Sequence, residues 1–101
     1  MNRDDWRNVN IQYVYPAIDS WQKGKLTEAE TIFLKGLDAT NNDGFIALNY
    51  GQLLEEMKRF NEANKMYEIA WSTLSEPRNK GKAKKGLDRV ALKIKNISSN
   101  S

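Results

Sequence analysis

A chain of 101 residues, 40% apolar and 29% charged, has the size and composition of one globular domain with a modest core. It holds neither cysteine nor histidine, which excludes disulfides, thiolate nucleophiles, imidazole bases and nitrogen or sulfur metal sites, so no metal or cofactor is expected. The formal charge of +3 hides a split: residues 1–76 carry eight Lys/Arg against twelve Asp/Glu, whereas residues 77–101 carry eight against Asp88 alone.

Apolar runs are as short as Tyr13-Val14-Tyr15, too short to span a bilayer. The opening MNRDDWRNVN has no apolar signal core, so a cytoplasmic location is expected.

The first helix is expected from about Asp4 to Lys23. Trp6, Val9, Tyr13, Ala17 and Trp21 recur at helical spacing, and so do Ile11, Val14, Ile18 and Trp21. Pro16 lies inside this pattern. It predicts either a kink near Tyr15 or a helix that begins there with the proline in its first turn. Gly24 ends the segment.

Thr27 followed by Glu30 reads as a capping box for a second helix whose buried face is Ala29, Ile32, Phe33, Gly36 and Leu37. Asn41-Asn42-Asp43-Gly44 predicts a turn, with Asp43 as cap of a third helix over about Phe45–Met57. Lys58-Arg59-Phe60 connects it to a fourth helix, capped by Asn61 and burying Ala63, Met66, Tyr67, Ala70, Trp71 and Leu74. After Ser75-Glu76-Pro77, the stripe Ala83, Leu87, Val90, Ile94 and Ile97 predicts a fifth helix over about Asn79–Asn96. Gly81 and Gly86 each weaken it by about 1 kcal/mol relative to alanine. Ser98–Ser101 reads as a frayed tail.

A constant offset organises these elements. Gly51 follows Ala17, Phe60 follows Leu26, Ala63 follows Ala29, Tyr67 follows Phe33 and Ala70 follows Gly36, each 34 residues on. Such periods mark helical-hairpin repeats, whose small and large residues interlock at fixed sites. The second copy reads Ala47, Tyr50-Gly51, Leu54, Phe60, Ala63, Tyr67, Ala70, and the first reads Tyr13, Pro16-Ala17, Ser20, Leu26, Ala29, Phe33, Gly36. On these residues the chain resembles the tetratricopeptide repeat family. The resemblance implies an all-α superhelix of antiparallel hairpins with about five helices in one domain over residues 1–97. Repeat one covers about 10–43, repeat two about 44–77, and a basic cap about 78–97.

The resemblance also implies a groove lined by the first helix of each repeat, and a non-catalytic adaptor, scaffold or assembly role. Its inward positions fall on Ile11, Val14, Ile18 and Trp21 in copy one, and on Phe45, Leu48, Asn49, Gln52 and Glu55 in copy two. The apolar set in copy one either packs inward or forms an exposed patch for a partner helix, an extended segment or a second copy of the chain. A homodimer is favoured, since a two-repeat array leaves its sides open. Family members that grip chaperone carboxylates use lysine, asparagine and arginine on successive first helices. Only Asn49 matches that set here, which speaks against such a ligand.

The alternative is a basic accessory protein contacting nucleic acid through Arg78, Lys82, Lys85, Arg89 and Lys93, which cluster on one side of the fifth helix. Aromatic residues for base stacking are missing from that helix. No enzyme is expected. The adjacent pairs Asp4-Asp5 and Glu55-Glu56 point about 100° apart on a helix and do not converge, and KGKAKKG lacks the order of a phosphate-binding loop.

Overall fold

The computed structural model describes residues 8–99, and among these the chain is all-α. A π-helical turn, Asn10–Val14, runs directly into α1 (Tyr15–Gln22), followed by α2 (Leu26–Thr40), α3 (Gly44–Glu56), α4 (Phe60–Thr73) and α5 (Pro77–Ser99). The expected helical start near Asp4, with Trp6 and the Asp4-Asp5 pair, lies outside the described residues, as do Asn100 and Ser101.

Pro16 is accommodated rather than disruptive. It stands at the start of α1 directly after a π turn, so the lost bond and the ring's clash fall where the helical ladder is already widened. Upstream, the Tyr15 N–H donates to the carbonyl of Asn10, five residues back. Val9, Val14 and Tyr15 all keep right-handed helical dihedrals, so the two expectations for this region merge. The helix continues through the proline by locally widening into a π turn, the usual place for such an insertion.

Each connection is three residues long, which makes consecutive helices antiparallel neighbours. α3 packs on α4, α4 on α5 and α1 on α2, and α5 also reaches α3. The 34-residue offset extends to backbone geometry. Gly24 and Lys58 both take positive φ, 79° and 62°. Lys25 N–H donates to Ser20 O at 2.8 Å and Arg59 N–H to Leu54 O at 2.9 Å. Lys25 and Arg59 share φ near −91° and −93° with ψ 71°. The turn after α1 and the turn after α3 are therefore one structure used twice.

This shared turn overturns two expected caps. It delivers the chain into α2 at Leu26 and into α4 at Phe60, with no side-chain cap at Lys25 or Arg59. Thr27 lies inside the first turn, where its carbonyl accepts the Thr31 hydroxyl, and Glu30 is drawn away to Tyr50 and Arg59. Asn61 likewise sits inside α4 and not at its cap. The Asp43 cap is present: its Oδ2 accepts the N–H groups of Phe45 and Ile46, both at 3.0 Å. α5 starts at Pro77, two residues earlier than expected, because the Glu76 carboxylate accepts the N–H groups of Arg78 and Asn79 at 3.0 and 2.9 Å. At its other end α5 continues through Ser99, where a frayed tail was expected.

The core follows the repeat. Ala17, Ala29, Phe33, Ala63, Tyr67 and Ala70 are fully buried, with Gly36 and Gly51 beside them. The Phe33 and Tyr50 rings stack at 5.7 Å. Trp71, expected in the core, instead turns outward at 40% exposure, with the Lys80 ammonium 4.3 Å from its ring centroid. Of the α5 stripe, Ala83 and Val90 are buried and Leu87 and Ile94 half-buried, but Ile97 is exposed.

Two buried-edge carboxylates tie successive helices together in the same way. Glu30 of α2 accepts the Tyr50 hydroxyl from α3 and pairs with Arg59, whose other edge holds Glu62. Glu55 of α3 accepts the Tyr67 hydroxyl from α4 at 2.7 Å and a two-pronged contact from Arg89 of α5 at 2.8 and 3.0 Å. Their hydrogen bonds to arginine, aided by the tyrosines, hold both carboxyls below the usual glutamate value of 4.5. A depressed folded value means that these groups stabilise the fold above 4.5 and lose that contribution as pH falls through their folded values. The urea midpoint should be flat near neutrality and fall as the pH drops below about 4.5. Glu55→Gln should flatten part of that fall; an unchanged acid slope would remove Glu55 from the account.

Candidate functional site

The expected groove residues divide into three groups. Val14, at 1% exposure, and Leu48, at 2%, belong to the core and face no partner. The reason is that the π turn Asn10–Val14 packs against α2 and α3. Glu55 is half-buried but occupied by Tyr67 and Arg89, so it offers no free charge. Ile11 is exposed at 56% and is not among the residues lining the groove.

Ile18, Trp21, Asn49 and Gln52 are brought together. They line a groove of about 610 Å³ between α1 and α3, with Gln22, Gly24, Leu26 and Glu56 completing its walls. Ile18, Trp21 and Leu26 are half-buried and give it an apolar wall. The Trp21 indole N–H donates to Glu56 across the two helices, which fixes the plane of the ring. Asn49 donates its amide to the Phe45 carbonyl at 2.9 Å, which locks the side chain on α3. The Gln52 amide lines the groove and makes no hydrogen bond among the described residues.

Phe45 lies elsewhere. It lines a second concavity, about 830 Å³, at the opposite end of α3 with Leu74, Arg78, Asn79 and Lys82. Asp43 and Glu76 lie in the same wall as the caps of α3 and α5 and balance the two cations.

Sequence reasoning missed Gln22, Gly24, Leu26 and Glu56 as groove residues, and Glu56 is the one that orients Trp21. The pair Glu55-Glu56 diverges as expected, Glu55 towards α5 and Glu56 towards α1. Identifying Glu56 as the partner of Trp21 required the α1–α3 juxtaposition, which no local pattern encodes.

The basic set is also divided. Arg78, Lys82, Lys85 and Lys93 are exposed. Arg89 is not available to an anion, because Glu55 holds its guanidinium through two hydrogen bonds. Lys84, on the same helix, pairs with Asp88 at 3.1 Å.

Among the described residues no group of three or more Asp or Glu could hold a metal ion, and no helix is long and apolar enough to cross a membrane. Neither a protein-family model, nor a curated protein, nor a solved structure matches the chain.

Proposed function

We propose that the chain is a non-catalytic interaction module of two tetratricopeptide-like hairpins and a capping helix, which binds a protein segment in the groove between α1 and α3. The observation that carries this reading is the groove itself. It offers an aromatic side chain oriented by Glu56, an apolar wall of Ile18 and Leu26, and the amide of Gln52, which has no hydrogen-bond partner among the described residues. A rigid aromatic anchor with adjacent backbone hydrogen-bonding capacity is the combination that captures helical or extended segments. The repeated turn geometry supports the family resemblance, since the same six-residue hydrogen-bond pattern recurs at the period of the sequence repeat.

Replacing Ile18 and Trp21 together with alanine should abolish segment binding while helicity stays near that of the native chain. Peptides selected from a displayed library on the native protein should bind the double variant at least about 30-fold more weakly, the roughly 2 kcal/mol of an aromatic hot spot. Selected peptides that bind both proteins equally would place the site elsewhere.

The nucleic-acid alternative is the weaker reading. It retains Arg78, Lys82, Lys85 and Lys93 but loses Arg89 to Glu55. It alone requires a salt-dependent shift with a nonspecific duplex that disappears on charge reversal at Lys82 and Lys85.

A further inference from the structure

The last helix outruns the helix it packs on. α4 has 14 residues and α5 has 23, so at 1.5 Å per residue α5 is longer by ~13 Å. A three-residue connection starts the two nearly level, so the excess falls at the far end of α5. Burial along the stripe follows this geometry. Ala83 and Val90 are fully buried, Ile94 is half-buried against the core, and Ile97 is 59% exposed. Lys93 and Lys95 are exposed on the same stretch. The end of α5 thus leaves Ile97 unpacked, with Lys93 one turn earlier on the same face of the helix.

The groove lies at the same end of the molecule. Glu55 accepts both hydrogen bonds from Arg89, about two turns before Ile97, and the next residue, Glu56, accepts the Trp21 indole at the groove wall. Glu56 is also the one charged side chain among the groove's lining residues. A continuous helix cannot fold back on itself within eight residues, so α5 does not reach the groove of its own chain. A second copy can.

We propose that the chain forms a two-fold symmetric dimer in which the end of α5 from each copy, led by Ile97, fills the Trp21 groove of the other. The proposal rests on the groove being a binding site and names its occupant. Because groove and helix end share one end of the molecule, a single two-fold axis makes both exchanges at once and closes the assembly. Lys93, one turn before Ile97 on the same face of α5, meets the carboxylate of Glu56, a charge complementarity that sets orientation. Ile97 on one side and Ile18, Trp21 and Leu26 on the other leave water together.

The test is the mass of the full chain in solution, by light scattering and sedimentation from low to high micromolar concentration. A dimer that dissociates on dilution is expected. Ile97→Glu and Trp21→Ala should each move its midpoint at least about tenfold higher in concentration. Ile97 is exposed, so its replacement keeps the fold, which circular dichroism verifies. The chain has no cysteine, so single-cysteine variants report proximity cleanly. Mixing Gln22→Cys with Ile97→Cys under mild oxidation should give the mixed cross-link in excess of either self-cross-link. A chain that is monomeric throughout, a dimer that neither substitution weakens, or a mixed cross-link no more abundant than the others would each overturn the dimer. Library peptides that enter the groove of a monomeric chain would overturn the dimer alone and leave the groove reading intact. A monomeric chain whose groove takes no peptide would remove both.

Discussion

Tyr67→Ala is expected to lower the melting temperature by roughly 15–30 °C, because Tyr67 is the wedge on which three helices close. Its ring is fully buried and lies against the backbone of both Gly51 of α3 and Gly86 of α5. Its hydroxyl donates to Glu55, which in turn holds Arg89. Removing a buried aromatic ring costs about 3–5 kcal/mol, since the flanking backbones cannot collapse fully into the space. A domain of this length is stable by about 5–15 kcal/mol in total. Each 1 kcal/mol moves the midpoint of so small a domain by about 4–8 °C. Tyr67→Phe separates the two roles of the side chain. It keeps the wedge and removes one hydrogen bond to a carboxylate that remains paired with Arg89, at a cost of about 1 kcal/mol. Thermal unfolding followed by circular dichroism decides the matter. If the alanine variant melted within a few degrees of the phenylalanine variant, the ring would not be the wedge.

The legible parts of this fold are those in which residue size is dictated by backbone approach. Ala29 and Ala63, Phe33 and Tyr67, and Gly36 and Ala70 recur at one period because only those sizes interlock at helix crossings, and all six are buried. Turn chemistry was legible where the residue type itself encodes it: Asn41 and Asn42 take positive φ, at 56° and 68°, and Asp43 caps. Lys58 was not legible, because nothing in a lysine announces a left-handed backbone; its equivalence to Gly24 appears only once the hydrogen bonds are compared. Glu30 and Asn61 were misassigned for one reason. Local capping rules compete with tertiary partners, and the shared turn had already set where α2 and α4 begin.

The candidate site was half legible. Ile18, Trp21, Asn49 and Gln52 converge because periodicity places them on facing sides of α1 and α3. Val14 and Leu48 share that periodicity but lie deeper, and burial depth within an apolar face cannot be read from spacing. Arg89 was counted with the free cations because a carboxylate partner 34 residues away leaves no trace in the helical projection of α5. Trp71 was placed inside because aromatic residues are usually core, whereas here the ring serves as the lid under Lys80.

The two glycines of α5, five residues apart, should respond to the same substitution with opposite signs. Both were read from the sequence as weak points of the helix, and for Gly81 that reading stands. A Cβ at Gly81 would meet nothing within 4 Å, so Gly81→Ala removes only the conformational freedom of the unfolded chain. It should stabilise the protein by up to about 1 kcal/mol. A Cβ at Gly86 would stand 2.6–2.7 Å from three atoms of the Tyr67 ring. The ring has little room to yield, because it is fully buried and also lies against the backbone of α3 at Gly51. Relief must therefore come from the backbones of α4 and α5 moving apart, an overpacking cost of about 1–3 kcal/mol that outweighs the gain of about 1 kcal/mol in helix propensity. The predicted order of melting temperatures is Gly81→Ala above native above Gly86→Ala. Gly86→Ala should cost less in a Tyr67→Leu background than in the native chain, because the smaller side chain vacates the contested volume. If Gly86→Ala stabilised the chain as Gly81→Ala does, the close approach of α5 to the Tyr67 ring would be refuted.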